Sequence, residues 1–155
     1  MLEKIISGHQ TGADIAAIDA AMAHDFPCGG WIGRGRLTEA GPLDERYVVN
    51  EMLTGGYPER TKQNVLYSDA TVVFTHGLLT GGSAQTGKFA DELEKPWLHI
   101  DLAQSGPFES IRMIADFIND HNVKTLNVAG KSASNDSRIY DAVYRIIDGF
   151  LKYAL

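Results

Sequence analysis

The sequence predicts an α/β protein: one domain, with a mainly parallel sheet covered by helices on both faces. Three observations predict it. Short apolar strand patterns alternate with amphipathic helical patterns along the chain. The strand runs are apolar throughout, as in strands buried on both faces. The chain has 155 residues, 44% apolar and 22% charged, enough for one domain with a real core. It shows no internal repeat, linker or low-complexity segment.

The elements follow in order. Residues 3–7 (EKIIS) read as a short buried strand. Residues 13–24 place Ile15, Ile18 and Met22 at helical spacing. Pro27, Gly29 and Gly30 end that helix and lead to Trp31 and Ile32. Residues 33–47 (GRGRLTEAGPLDERY) have no clear period, and a loop of that length in a compact domain is often functional. Residues 58–67 read as a helix with Pro58 near its start. The stretch 70–75 (ATVVFT) is a strong strand. Gly81, Gly82 and Ser83 then open a helix running to about Leu93. Residues 96–102 form another strand, and 107–121 a helix with Ile111, Ile114, Ala115 and Ile118 on one face. Residues 124–129 (KTLNVA) are a strand, 130–135 a polar turn, and 136–153 a final amphipathic helix.

Composition excludes several classes. The net charge of −6 argues against a dedicated nucleic-acid surface. Cys28 is the only cysteine, so an intrachain disulfide and a cysteine-based zinc site are ruled out. No run is apolar enough to span a membrane, and the start has no signal-peptide layout. A cytoplasmic protein is expected, with neither nucleic acid nor membrane as partner.

Ligands of open parallel sheets bind beyond the carboxyl ends of the strands. Three strand exits combine glycine with hydroxyl or amide side chains at a helix start. They are Ser7-Gly8-His9-Gln10-Thr11-Gly12, Gly81-Gly82-Ser83-Ala84-Gln85-Thr86 and Gly130-Lys131-Ser132-Ala133-Ser134-Asn135. Glycine lets backbone approach a ligand, and exposed N–H groups with the helix dipole favour an anion. A turn of this kind is also ordinary as a helix cap, so the weight rests on three converging. None is a P-loop or a GxGxxG fingerprint. The expectation is that 8–12, 81–86 and 130–134 cradle a phosphate through free N–H groups. Gln10, Thr11 and Thr86 would orient the ligand, and Arg36, with Arg34 beside Gly35 or with Lys131, would neutralise charge. Trp31 reads as a core anchor more readily than as a stacking platform.

No metal-ligand spacing and no GxSxG elbow exist among these residues. His9 and His76 stand at strand ends, within reach of a common pocket. Asp14, in the first turn of the first helix, complements the dipole or serves the ligand. Asp14 and His9 are the candidate acid/base residues.

The motifs resemble the putative molybdenum-carrier family, the circularly permuted YpsA branch of the SLOG group of Rossmann-like proteins. That family opens on SGGQTGVDRAALDAA, matched by SGHQTGADIAAIDAA at 7–21. Its GGW loop is matched by Gly29-Gly30-Trp31, Gly35-Arg36, Glu39, Gly41 and Leu43. Tyr57, Arg60-Thr61, Asn64-Val65 and Ser68-Asp69-Ala70-Thr71 match its next block. GGSAQT at 81–86, KPWL at 95–98 and LNVAG at 126–130 complete the series. This chain departs by His9 where glycine is usual, Ile15 where arginine is common, and Lys131-Ser132-Ala133-Ser134 where Pro-Arg-Glu-Ser is usual.

The resemblance implies a single-domain Rossmann-like three-layer fold over 1–155. It also implies self-association, as a dimer or tetramer, for which the apolar faces of the last two helices are available unless the sheet buries them. It implies a carrier-like protein binding a phosphate-bearing small molecule, either molybdenum cofactor (molybdopterin) or a purine nucleotide. Two alternatives remain. One is an enzyme on a nucleotide-derived ligand, cleaving the N-glycosidic bond of a nucleoside monophosphate, although the glutamate of the LOG-type PGGxGTxxE motif has no counterpart after Thr86. The other is an interaction module with a vestigial pocket.

Overall fold

The computed structural model describes all 155 residues. Its central sheet has six strands, β1 (Lys4–Ser7), β2 (Cys28–Ile32), β5 (Asn50–Glu51), β6 (Ala70–Thr75), β7 (Trp97–Asp101) and β8 (Thr125–Gly130). The order is β5-β2-β1-β8-β6-β7 and every pairing is parallel. A two-stranded ribbon, β3 (Leu37–Thr38) with β4 (Gly41–Pro42), stands apart. Five helices surround the sheet: α1 (Ala13–Ala23), α2 (Tyr57–Leu66), α3 (Gly81–Glu92), α4 (Pro107–His121) and α5 (Ile139–Tyr153). Helices α1, α4 and α5 pack together on one face, and α2 and α3 on the other. This is a single-domain, three-layer Rossmann-like α/β fold. No helix is long and apolar enough to cross a membrane.

The two faces differ in chemistry because side chains alternate along each strand. Ile5, Val72, Phe74, Leu126 and Val128 enter the main core with Ala16, Ile18, Ile114, Val143 and Ile147. The faces of α4 and α5 considered for self-association are therefore buried in the subunit through Ile114, Ile118, Ile146 and Phe150. Asn127 points the other way and donates to Thr71 Oγ1 (3.2 Å), so a buried polar patch lies on the α3 side.

Two strands lie where the sequence shows no clear strand pattern. Gly29 and Gly30 sit inside β2. A Cβ on Gly30 would stand 2.2 Å from Ser7 O, so β2 and the β1 exit approach this closely only with glycine. Strand β5 is a two-residue edge within a polar stretch. The last helix starts at Ile139, not 136, because Asp136 Oδ1 accepts the Arg138 N–H and the Asn135 and Asp136 N–H groups fold back onto Ser132 O.

Candidate functional site

Chain direction sets the site. The exit of β1 leads to α1 on one face, and the exit of β6 leads to α3 on the other. Strand β8 lies between them, so a crevice opens where the connections diverge. A cavity of about 620 Å³ fills it, a size suited to a small-molecule ligand.

All three glycine-rich exits reach this cavity. Gly8, Gln10 and Asp14 line it from the first. Gly81, Gly82, Ser83 and Thr86 line it from the second, and Gly130, Lys131 and Ser132 from the third. His9, Thr11, Gly12, Arg34, Gly35 and Arg36 do not line it. Gly12 braces the wall instead: at φ +85° it lets the Ala13 N–H reach Lys131 O (3.1 Å). Thr11 Oγ1 donates to Glu39 and accepts the Ala133 N–H (3.1 Å).

The expected charge donors change. Arg36 Nη2 is committed to Asp44 O (2.9 Å) and Tyr47 O (3.0 Å), and so fastens the 33–47 segment. Arg34 and Gly35 share its short 3-10 turn. The cavity cations are Lys131 and Arg60, the latter on α2. The histidines do not meet. His9 is fully buried with its Nδ1 3.0 Å from Ser7 O, and His76 Nδ1 pairs with Asp136 Oδ2 (2.5 Å). Desolvation holds the His9 imidazole down at about 4. Trp31 tilts against Tyr67, with ring centroids 5.7 Å apart, and is no part of the cavity wall.

Three N–H groups of the first turn, those of His9, Gln10 and Thr11, are taken up within the chain and, contrary to expectation, are not free for an anion. His9 N–H goes to Ser7 Oγ, Gln10 N–H to Asp14 Oδ2, and Thr11 N–H to Gln10 Oε1. In the third turn Ser134 is taken up in the same way, its N–H and Oγ both binding Glu39 at 3.0 and 2.6 Å. Those bonds hold the Glu39 carboxyl below the usual range. The α3 start is open. Thr80 makes no side-chain cap, and the first N–H with a helical acceptor is that of Ala84, to Thr80 O. A Cβ on Gly81 or Gly82 would meet nothing within 4 Å. Lys131 Nζ joins this terminus through Thr80 O (3.0 Å) and Thr80 Oγ1 (2.6 Å).

Three buried polar atoms of the lining residues lack any partner: Ser83 Oγ, Asn127 Oδ1 and Arg60 Nε. Native proteins rarely leave such groups unpaired without a ligand, ion or water to serve them. Beside them Arg60 Nη1 donates to Asp14 Oδ2 (3.1 Å). Burial pushes the Asp14 carboxyl up, against the downward pull of that guanidinium.

The model of the Circularly permutated YpsA SLOG family matches residues 5–151. The chain belongs to this family. The crystal structure of a putative molybdenum carrier protein from Syntrophus aciditrophicus SB at 1.45 Å resolution is 45% identical, with a TM-score of 0.95. That match covers 97% of this chain and 95% of the other. No curated protein matches the chain.

Within this YpsA-type domain, sequence reasoning missed Arg60, Asn127, Tyr57 and Glu39 as site residues. An asparagine inside the apolar LNVA run was the available signal for Asn127, because a buried polar residue in a parallel strand calls for a partner. Arg60 had no local signal, since α2 is far in sequence from the strand exits.

Proposed function

We propose that this protein binds a phosphate-bearing nucleotide or pterin in the cavity and acts as a carrier of it. The observation that carries the reading is the uncapped N-terminus of α3, with the unpartnered Ser83 Oγ buried behind it. A phosphate there accepts the N–H groups of Gly81, Gly82 and Ser83 and gains from the helix dipole. Lys131 Nζ, already at Thr80, supplies the positive charge. The same donors suit the phosphate of a pterin cofactor carried as cargo. No cluster of three or more His, Cys, Asp or Glu is placed to hold a metal ion directly.

The test is native mass spectrometry of the purified protein, with mass and metal analysis of anything released on denaturation. Thermal shift with a nucleotide and pterin-phosphate panel follows. A ligand at about a hundredfold its dissociation constant stabilises by about 2.7 kcal/mol. Gly82→Val places its side chain in open space, so it should keep the melting temperature and abolish the ligand shift. No released ligand and no shift with any member of the panel would remove the reading.

A second reading rests on Asp14. A carboxyl pushed up by burial, on the wall of a ligand cavity, suits an acid/base group acting on a nucleotide. Asp14→Asn separates the two readings: an enzyme keeps binding and loses turnover, whereas a carrier has no turnover to lose.

A further inference from the structure

The cavity carries two acceptors that no donor of the chain reaches. Asn127 Nδ2 is committed to Thr71 Oγ1, and Oδ1 is buried without a partner. Asp14 Oδ2 takes both Arg60 Nη1 and the Gln10 N–H, which leaves Oδ1 for a ligand. A molecule that fills this wall must therefore bring hydrogen-bond donors as well as a phosphate. Hydroxyl groups suit it best. They donate to a carboxylate oxygen, and they serve an amide through either of its ends. A flat heterocycle is less suited to the wall, because Tyr57, Val128 and Ala129 are its only apolar or aromatic members.

We propose that the cavity is a ribosyl-phosphate site, in which the sugar's vicinal hydroxyls donate to Asp14 Oδ1 and Asn127 Oδ1 while the phosphate sits on the α3 N-terminus. The inference rests on the phosphate reading above and adds the sugar. A base attached to the sugar then lies toward the mouth. There Tyr57 is half exposed, with the Arg60 guanidinium 5.4 Å from its ring centroid. Removing one hydroxyl leaves a buried acceptor unpaired, which a site of this kind penalises strongly.

The experiment is calorimetric titration of the full chain with ribose 5-phosphate, 2-deoxyribose 5-phosphate, AMP, dAMP, inorganic phosphate and a pterin phosphate. The ribo compounds are expected to bind roughly tenfold or more tightly than their deoxy partners. Asn127→Ala should bring that ratio toward one. Equal binding of ribo and deoxy compounds overturns the sugar inference and leaves the phosphate site standing. So does binding of the pterin phosphate with ribose 5-phosphate and AMP silent. Failure of every phosphate-bearing probe overturns both. The wild-type ratio decides the matter even where a variant folds poorly.

Discussion

Arg60 Nη1 stands 3.1 Å from Asp14 Oδ2, and the two side chains are 12% and 9% exposed. The pair joins α2 to α1 across the β1 exit, over Gly8. A Cβ at Gly8 would lie 1.4 Å from Arg60 Nη1, so glycine is what lets the guanidinium lie there. Arg60→Ala strands the Asp14 carboxylate in the wall. The expected loss is about 3–5 kcal/mol in denaturant unfolding. Arg60→Lys should recover only part, because Nη2 also reaches Thr61 Oγ1 (3.3 Å) and an ammonium has no second arm in that geometry. A loss below about 1 kcal/mol for Arg60→Ala would show that the pair contributes little.

Gly12 supports the opposite wall. Its φ of +85° is left-handed, and a Cβ there would sit 2.3 Å from Lys131 O. Gly12→Ala therefore combines a backbone penalty with a clash against main chain. It also displaces the Ala13–Lys131 bond that ties the first and third turns together. A destabilisation of about 2–4 kcal/mol is expected, read as a lowered denaturation midpoint at unchanged slope. Near-wild-type stability would mean that the turns tolerate separation.

These residues show what was legible in the sequence. The order of strands and helices was readable because apolar runs and helical spacing are local signals. So was the convergence of three glycine-rich exits, which follows from strand direction alone. Strand β2 was masked because Gly30 answers to a close approach by Ser7 O, a tertiary fact. The hydrogen-bond economy of the turns was also hidden. Gln10 resembles a ligand contact, yet its Oε1 accepts Thr11 and Glu39 N–H groups and its Nε2 donates to Tyr57 Oη (3.0 Å). Which N–H groups remain free depends on partners up to 122 residues apart, such as Ala133 and Thr11.

Asp19 makes a further case of long-range anchoring, and it is testable. Its carboxylate accepts Tyr47 Oη at 2.6 Å and Tyr140 Oη at 2.5 Å, so it pins the 33–47 segment and α5 to α1. Burial and the neighbouring Asp19 push the Tyr47 phenol up to about 12. Tyr47→Phe and Tyr140→Phe should each cost about 1–2 kcal/mol, and the double variant should differ from their sum because both bond one carboxylate. Strict additivity in a double-mutant cycle would argue that the two contacts are independent.

Ser83→Ala is expected to separate stability from binding. The hydroxyl is buried without a partner, so its removal relieves a desolvated group instead of breaking a bond. The melting temperature of the ligand-free protein should hold or rise slightly. Affinity for the phosphate-bearing ligand should fall about tenfold, the worth of one hydrogen bond to a charged oxygen. A drop in ligand-free stability with unchanged affinity would place the hydroxyl in the fold and not in the site.

His9 gives the molecule an acid sensitivity whose direction is fixed. The ring is buried at φ +58°, with Nε2 unpartnered, and burial holds its pKa down at about 4 from 6.5. The unfolded chain takes up a proton near 6.5, and the native protein only near 4. Between those values the unfolded state binds more protons, so stability falls as pH falls, and the loss is complete below the native value. The full effect is about 3 kcal/mol. Asn tolerates the left-handed region, so His9→Asn should fold and lack this term. Asp136, held below the usual carboxylate range by His76 and the Arg138 N–H, adds an acid loss common to both proteins. Urea unfolding of both proteins at pH 7.5 and 4.5 measures the difference. The wild type should lose about 2–3 kcal/mol more than His9→Asn over that window. Parallel pH profiles would mean that the imidazole reaches solvent and titrates as it does in the unfolded chain.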